Sequence, residues 1–98
     1  MTHISPSQKL VISDEVLGQE IDGESVLLDL RSEKYFGLNP VGTRVWQLLN
    51  ERKSMGNMLD ILHSEYAVNR QQLEKEVGDL LERMLQAGLV TIATPDLE

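Results

Sequence analysis

Tyr35-Phe36-Gly37-Leu38-Asn39-Pro40-Val41-Gly42-Thr43-Arg44-Val45-Trp46 contains the point at which the chain changes its period. Phe36 and Leu38 fall on one face of a short strand and Tyr35 on the other, because successive side chains of a strand alternate. Beyond it, Val41, Val45, Leu48 and Leu49 recur at helical spacing with Trp46 beside them. Asn39-Pro40 marks the switch. An Asn side chain can accept a first-turn backbone N–H, and a proline at the first helical position lacks an N–H that would have no partner there.

Working back toward the N-terminus, Arg31-Ser32-Glu33-Lys34 reads as a polar turn and Val26-Leu27-Leu28-Asp29-Leu30 as a second strand. Val26, Leu28 and Leu30 share one face of it, and Leu27 and Asp29 take the other. Asp22-Gly23 is a two-residue hairpin signal, and Val16 to Ile21 is a short mixed strand. Three strands joined by tight turns make an antiparallel meander. Working forward, the first helix ends near Asn50. Ser54 caps a second helix through about Tyr66, carrying Met55, Met58, Leu59 and Leu62. Asn69 caps a third from about Arg70 to Ala87, which stacks Leu73, Val77, Leu80, Leu81, Met84 and Leu85. Gly88 stands where a C-terminal cap glycine belongs, and Leu89 to Ile92 reads as a short final strand.

The expected class is α+β: a winged helix-turn-helix with an N-terminal three-stranded antiparallel sheet, three helices and a short C-terminal strand. Residues 1–13 are expected to be a flexible lead-in, 14–93 the domain and 94–98 a flexible tail.

The chain has 98 residues, which is one small domain, with 41% hydrophobic and 26% charged residues. It has no cysteine, which excludes disulfides, thiolate metal sites and a cysteine nucleophile, and which suits a reducing cytosol. No apolar run approaches the length of a membrane span, and residues 1–6 lack the basic and apolar regions of a signal peptide. A cytoplasmic protein is expected. Nine Lys and Arg against sixteen Asp and Glu give a net charge of −7, which repels phosphate and suits a neutral or basic polypeptide partner.

Catalysis finds little support. His3 lies in the lead-in. His63 follows Asp60 by three residues and adjoins Ser64, but two ligands do not make a metal site, and adjacent helical residues point apart. No phosphate-cradling glycine loop or paired-carboxylate motif occurs, so neither an enzyme nor a cofactor is expected. DNA reading by the third helix is opposed by its charges. Arg70, Lys75 and Arg83 are outnumbered by Glu74, Glu76, Asp79 and Glu82.

The third helix nevertheless has a lopsided apolar arc at 100° per residue. Beside the core stripe of Leu73, Val77, Leu80 and Met84, the arc widens on one side through Leu81 and Leu85, with Gly78 at its edge. Gly78 costs the helix about 1 kcal/mol against alanine. It is compatible with close approach of another backbone, just as Leu81 and Leu85 are compatible with an ordinary core. If the Tyr35–Leu38 strand lies at a sheet edge, its free N–H and C=O groups can pair with an added strand. Edge and helix flank together would then form a groove for an extended peptide.

From Val26 to Leu30 and from Tyr35 to Trp46, the wording resembles the PQQ-synthesis protein D family, the recognition elements of ribosomally made, modified peptides. The resemblance extends over roughly residues 14–92, including Tyr66-Ala67-Val68 and the Gly88-Leu89 ending of the acidic helix. It is nearest to the stand-alone proteins of lasso-peptide clusters. It implies a winged-helix domain without catalysis that binds the leader of a precursor peptide and delivers it to a modifying enzyme: a leader peptidase, a cyclase or a radical enzyme. It also implies that the leader adds to the third strand and lies against the third helix. On this chain that gives the backbone of Glu33, Lys34, Tyr35, Phe36, Gly37 and Leu38 as the ladder. The helix wall, chosen by the angle argument, is Glu74, Gly78, Leu81 and Leu85. The alternatives are a DNA-binding regulator and a protein–protein scaffold or dimer module. Oligomeric state is left open.

Overall fold

Each helix of the computed structural model, which describes residues 8–93, begins at the cap its sequence announces. Asn39 Oδ1 accepts the Gly42 N–H at 2.8 Å and opens α1 (Pro40–Asn50), with Pro40 in the first turn. Ser54 Oγ accepts the Asn57 N–H at 3.3 Å and opens α2 (Met55–Glu65). Asn69 Oδ1 accepts the Gln71 and Gln72 N–H groups at 2.8 and 3.2 Å and opens α3 (Arg70–Ala87). α3 closes on Gly88 at φ +78°. The Gly88 N–H donates to Leu85 O at 3.1 Å and the Leu89 N–H to Met84 O at 2.9 Å. That pair of bonds is the Schellman motif, whose left-handed residue favours glycine.

Ahead of the helices, β2 (Val16–Ile21), β3 (Glu24–Asp29) and β4 (Lys34–Leu38) form the antiparallel sheet β2-β3-β4. Asp22 and Gly23, at φ +53° and +83°, turn β2 into β3 with Ile21 opposite Glu24. Two positive φ angles are what a type I′ hairpin requires. The structure thus describes an α+β domain of three helices and antiparallel sheets.

One feature differs from the sequence reading, and the structure decides a second that the reading left open. Residues 10–12, assigned to a flexible lead-in, form β1 (Leu10–Ile12). β1 pairs antiparallel with β5 (Val90–Ile92) in a second, two-stranded sheet. Leu10 is 2% exposed, so core burial holds the segment in place. The flexible ends expected at residues 1–7 and 94–98 lie outside the described residues.

The point left open is which sheet face meets the helices. Leu27, fully buried, points inward together with buried Ser25 and Asp29. The more apolar stripe points outward, with Val26 44% exposed and Leu30, just past β3, 50%. Leu17 and Ile21 on β2 and Tyr35 on β4 belong to the same outer side by register. Inside, Trp46 and Leu48 of α1 pack with Met58 and Leu62 of α2 and with Val77, Leu81 and Met84 of α3 in one core.

Candidate functional site

β4 pairs with β3 along one side and, among the described residues, has no neighbouring strand on the other. Alternate N–H and C=O groups of such an edge strand point outward. The register sets Lys34 opposite Asp29, Tyr35 opposite Leu28, Phe36 opposite Leu27, Gly37 opposite Val26 and Leu38 opposite Ser25. Tyr35 is 72% exposed on the outer face, whereas Phe36 is half-buried against the core and Leu38 is buried. Glu33 precedes the strand at φ +60°, its N–H donating to Asp29 O at 2.7 Å to close the turn.

Beside β4 lies an open cleft of about 320 Å³. Its lining combines Lys34, Tyr35 and Phe36 with Gln86 and Ala87 at the end of α3, and with Asp29, Ser32 and Leu89. The strand half of the expected groove is therefore joined to the C-terminal end of α3. Glu74 and Gly78 do not line this cleft. Glu74 sits about 18 Å back along the helix from Gln86 at the usual rise per residue, ion-paired with Arg70 at 3.5 Å. Gly78 is half-buried, and a Cβ placed on it would meet nothing within 4 Å.

Leu81 requires a correction as a wall residue. It is 0% exposed, so its side chain offers no surface to a ligand. The helix turns it 100° from Leu80 into the core, and the wide apolar arc serves partly to fill that core. Leu85 is half-buried and also packs on the core cluster.

The residues missed by sequence reasoning cluster at the β3–β4 turn. Asp29 Oδ1 accepts the Arg31 N–H at 3.0 Å, and Asp29 Oδ2 accepts the Ser32 hydroxyl at 3.1 Å. The Arg31 backbone N–H foremost, then the Ser32 hydroxyl and the Arg31 guanidinium, hold the Asp29 carboxyl below its ordinary pKa, against the upward push of burial. Asp-x-Arg-Ser, an Asp bonding the backbone two residues on, was the available signal.

The other charged groups serve the scaffold. Arg44 Nε and Nη2 donate to Glu65 at 2.9 and 2.8 Å, joining α1 to α2 and holding the Glu65 carboxyl below its usual range. Asp60 accepts from Arg70 Nη1 at 2.6 Å, so both Asp60 and one of the three basic residues of α3 are engaged. No group of three or more His, Cys, Asp or Glu that could hold a metal ion occurs among the described residues. No helix among them is long and apolar enough to cross a membrane.

A small α+β domain with a free sheet edge beside a helix end is what the fold and cleft define, and comparison with known proteins names the family. The family model for coenzyme PQQ synthesis protein D (PqqD) matches residues 24–90, and the chain belongs to that family. Among solved structures it is similar to "TbiB1 in complex with the TbiA(beta) leader peptide". The two share 38% identity with a TM-score of 0.79, over 88% of this chain and 99% of that one. It is also similar to "lasso peptide synthetase B1 complexed with the leader peptide", at 28% identity and a TM-score of 0.76, over 84% of this chain and 96% of that one. No curated protein matches it in sequence. The family resemblance read from Val26–Trp46 is thereby borne out.

Proposed function

We propose that this protein is a non-enzymatic adaptor. It binds the leader of a ribosomally made precursor peptide and presents it to a modifying enzyme, a leader peptidase, cyclase or radical enzyme. The observation that carries the reading is likeness over nearly the whole chain to two proteins solved with leader peptides. The open edge of β4 supports it. In this reading the leader adds as a strand along Glu33 to Leu38. Main-chain bonds give sequence-tolerant affinity, and the cleft between β4 and the end of α3 selects side chains. A disordered leader loses entropy on ordering, which keeps the affinity moderate for the area buried. Holding the leader raises the effective concentration of the attached core at the enzyme. The net charge of −7 favours leaders bearing Lys or Arg, with binding that weakens in salt. We read the three helices with the β1–β5 pair as a winged-helix arrangement, and the site of action as the cytoplasm.

The test is fluorescence polarisation with two labelled probes at two salt concentrations. The probes are the leader encoded in the short reading frame beside this gene and the TbiA(beta) leader peptide. Saturable binding with a Kd at or below about a micromolar, roughly −8 kcal/mol, is expected. A flat trace with folded protein sinks the reading. The exposed apolar outer face of the sheet favours a second reading, a self-associating scaffold. Light scattering across concentration separates the two.

A further inference from the structure

Arg31 reaches from the β3–β4 turn to the far side of the cleft. Its Nη2 donates to Gly88 O at 2.8 Å, a bond spanning 57 positions of sequence. Its Nε lies 3.5 Å from Glu15 Oε1 and 3.5 Å from Asp29 Oδ1. Asp29 is anchored in turn by the Arg31 N–H and the Ser32 hydroxyl, and its side chain is only 7% exposed. The guanidinium thus ties the turn that launches β4 to the Gly88 carbonyl just past the end of α3. A cation there also complements the negative end of the helix dipole. Gly88 makes room for it, since a Cβ on Gly88 would lie 2.9 Å from Arg31 Nη2.

These contacts sit at the end of the cleft whose two walls are the start of β4 and the end of α3. Each wall is firm by itself: β4 is laddered to β3, and α3 is closed by its Schellman bonds. What must be set is the distance between them. The Arg31 side chain is 49% exposed, and ion pairs of that kind add little to global stability. Its effect lies in geometry.

We propose that Arg31, held by Asp29 and bonded to Gly88 O, is a positioning residue that fixes the spacing of β4 and the α3 end and so pre-organises the peptide cleft. The inference rests on the adaptor reading above. Pre-organisation raises affinity by lowering the ordering cost at the moment of binding. A guanidinium can address three partners at once from a rigid fork, whereas an ammonium is a point charge.

The test compares the full chain with Arg31→Met and Arg31→Lys. The readouts are polarisation binding of the TbiA(beta) leader peptide, thermal midpoint, and hydrogen exchange of the Lys34–Phe36 amides without peptide. Arg31→Met is expected to raise Kd about tenfold while lowering the midpoint by no more than about 5 °C. Its Lys34–Phe36 amides are expected to exchange faster. Arg31→Lys is expected to recover part of the affinity. A purely structural role would move the midpoint and leave Kd, measured well below it, unchanged. Wild-type binding with Arg31→Met equal to it within about twofold, and unchanged exchange, overturns the inference alone. Absence of wild-type binding to both leader probes overturns the adaptor reading and this one with it.

Discussion

The indole Nε1 of Trp46 lies 2.8 Å from the point that a Cβ on Gly18 would occupy, with Leu27 Cδ2 at 3.2 Å. The sheet is seated on α1 through this close approach, and Trp46, 8% exposed, has little room to retreat. Gly18→Ala is therefore expected to destabilise the domain by about 1–3 kcal/mol, as overpacking does. Trp46 is the sole tryptophan, so urea unfolding followed by its emission reads the change directly. An unchanged midpoint would show that the ring shifts freely.

Leu81 and Leu85 occupy adjoining positions of the same arc with unequal burial. Leu81→Ala empties a fully buried site and is expected to cost about 2–5 kcal/mol. Leu85→Ala is expected to cost clearly less. Thermal melts of the two variants decide it, and equal losses would contradict the difference in burial.

Gly78 separates helix stability from recognition. A methyl group there meets open space, and alanine improves helix propensity by about 1 kcal/mol. Gly78→Ala is expected to raise the thermal midpoint by about 4–8 °C. If a leader backbone passes over this turn, its Kd for the TbiA(beta) leader peptide also rises. A more stable variant with unchanged affinity removes Gly78 from the site.

Folding lowers the pKa of Asp29, through the Arg31 N–H first of all. A carboxyl depressed in the folded state contributes stability that is complete above its unfolded value of about 3.9. That contribution drains away as pH falls through the lower folded value. Asp29→Asn is thus expected to be less stable than wild type at neutral pH, and the gap is expected to close on acidification below about pH 4. Every other carboxylate is common to the two proteins, so the difference between two thermal-melt series isolates Asp29. A gap that stays constant down to pH 3 would mean that its charge plays no part.

Legibility followed the range of the interactions. Asn39, Ser54 and Asn69 announce their helices because a cap bonds within three residues, and Asp22-Gly23 and Gly88 carry their own backbone preferences. β1 has no comparable signal: Leu10-Val11-Ile12 is short, and its partner strand lies at the other end of the chain. Period two divided β3 into two faces without saying which one meets the core. The face bearing Leu27 is chosen because α1 packs there, although Val26, Leu28 and Leu30 form the richer apolar stripe. The β4 half of the site was readable from its aromatic strand and the turn after it. Gln86 and Ala87, which line the cleft from α3, and Arg31, which bonds Gly88 O, were missed because each meets residues about fifty positions away, which no local pattern encodes.

The pairing of β1 with β5 has a consequence for how such a domain can be combined with others. Leu10 faces Ile92, and the Ala93 N–H donates to Lys9 O at 2.8 Å. The described chain therefore enters and leaves side by side, about 5 Å apart as neighbouring strands are. β5 carries the exit about 10 Å from the cleft-lining Leu89. A unit with adjoining ends can be spliced into a surface loop of a host enzyme without stretching the host's backbone. Grafted that way, it would hang from its host by a two-stranded stem, as an interchangeable head.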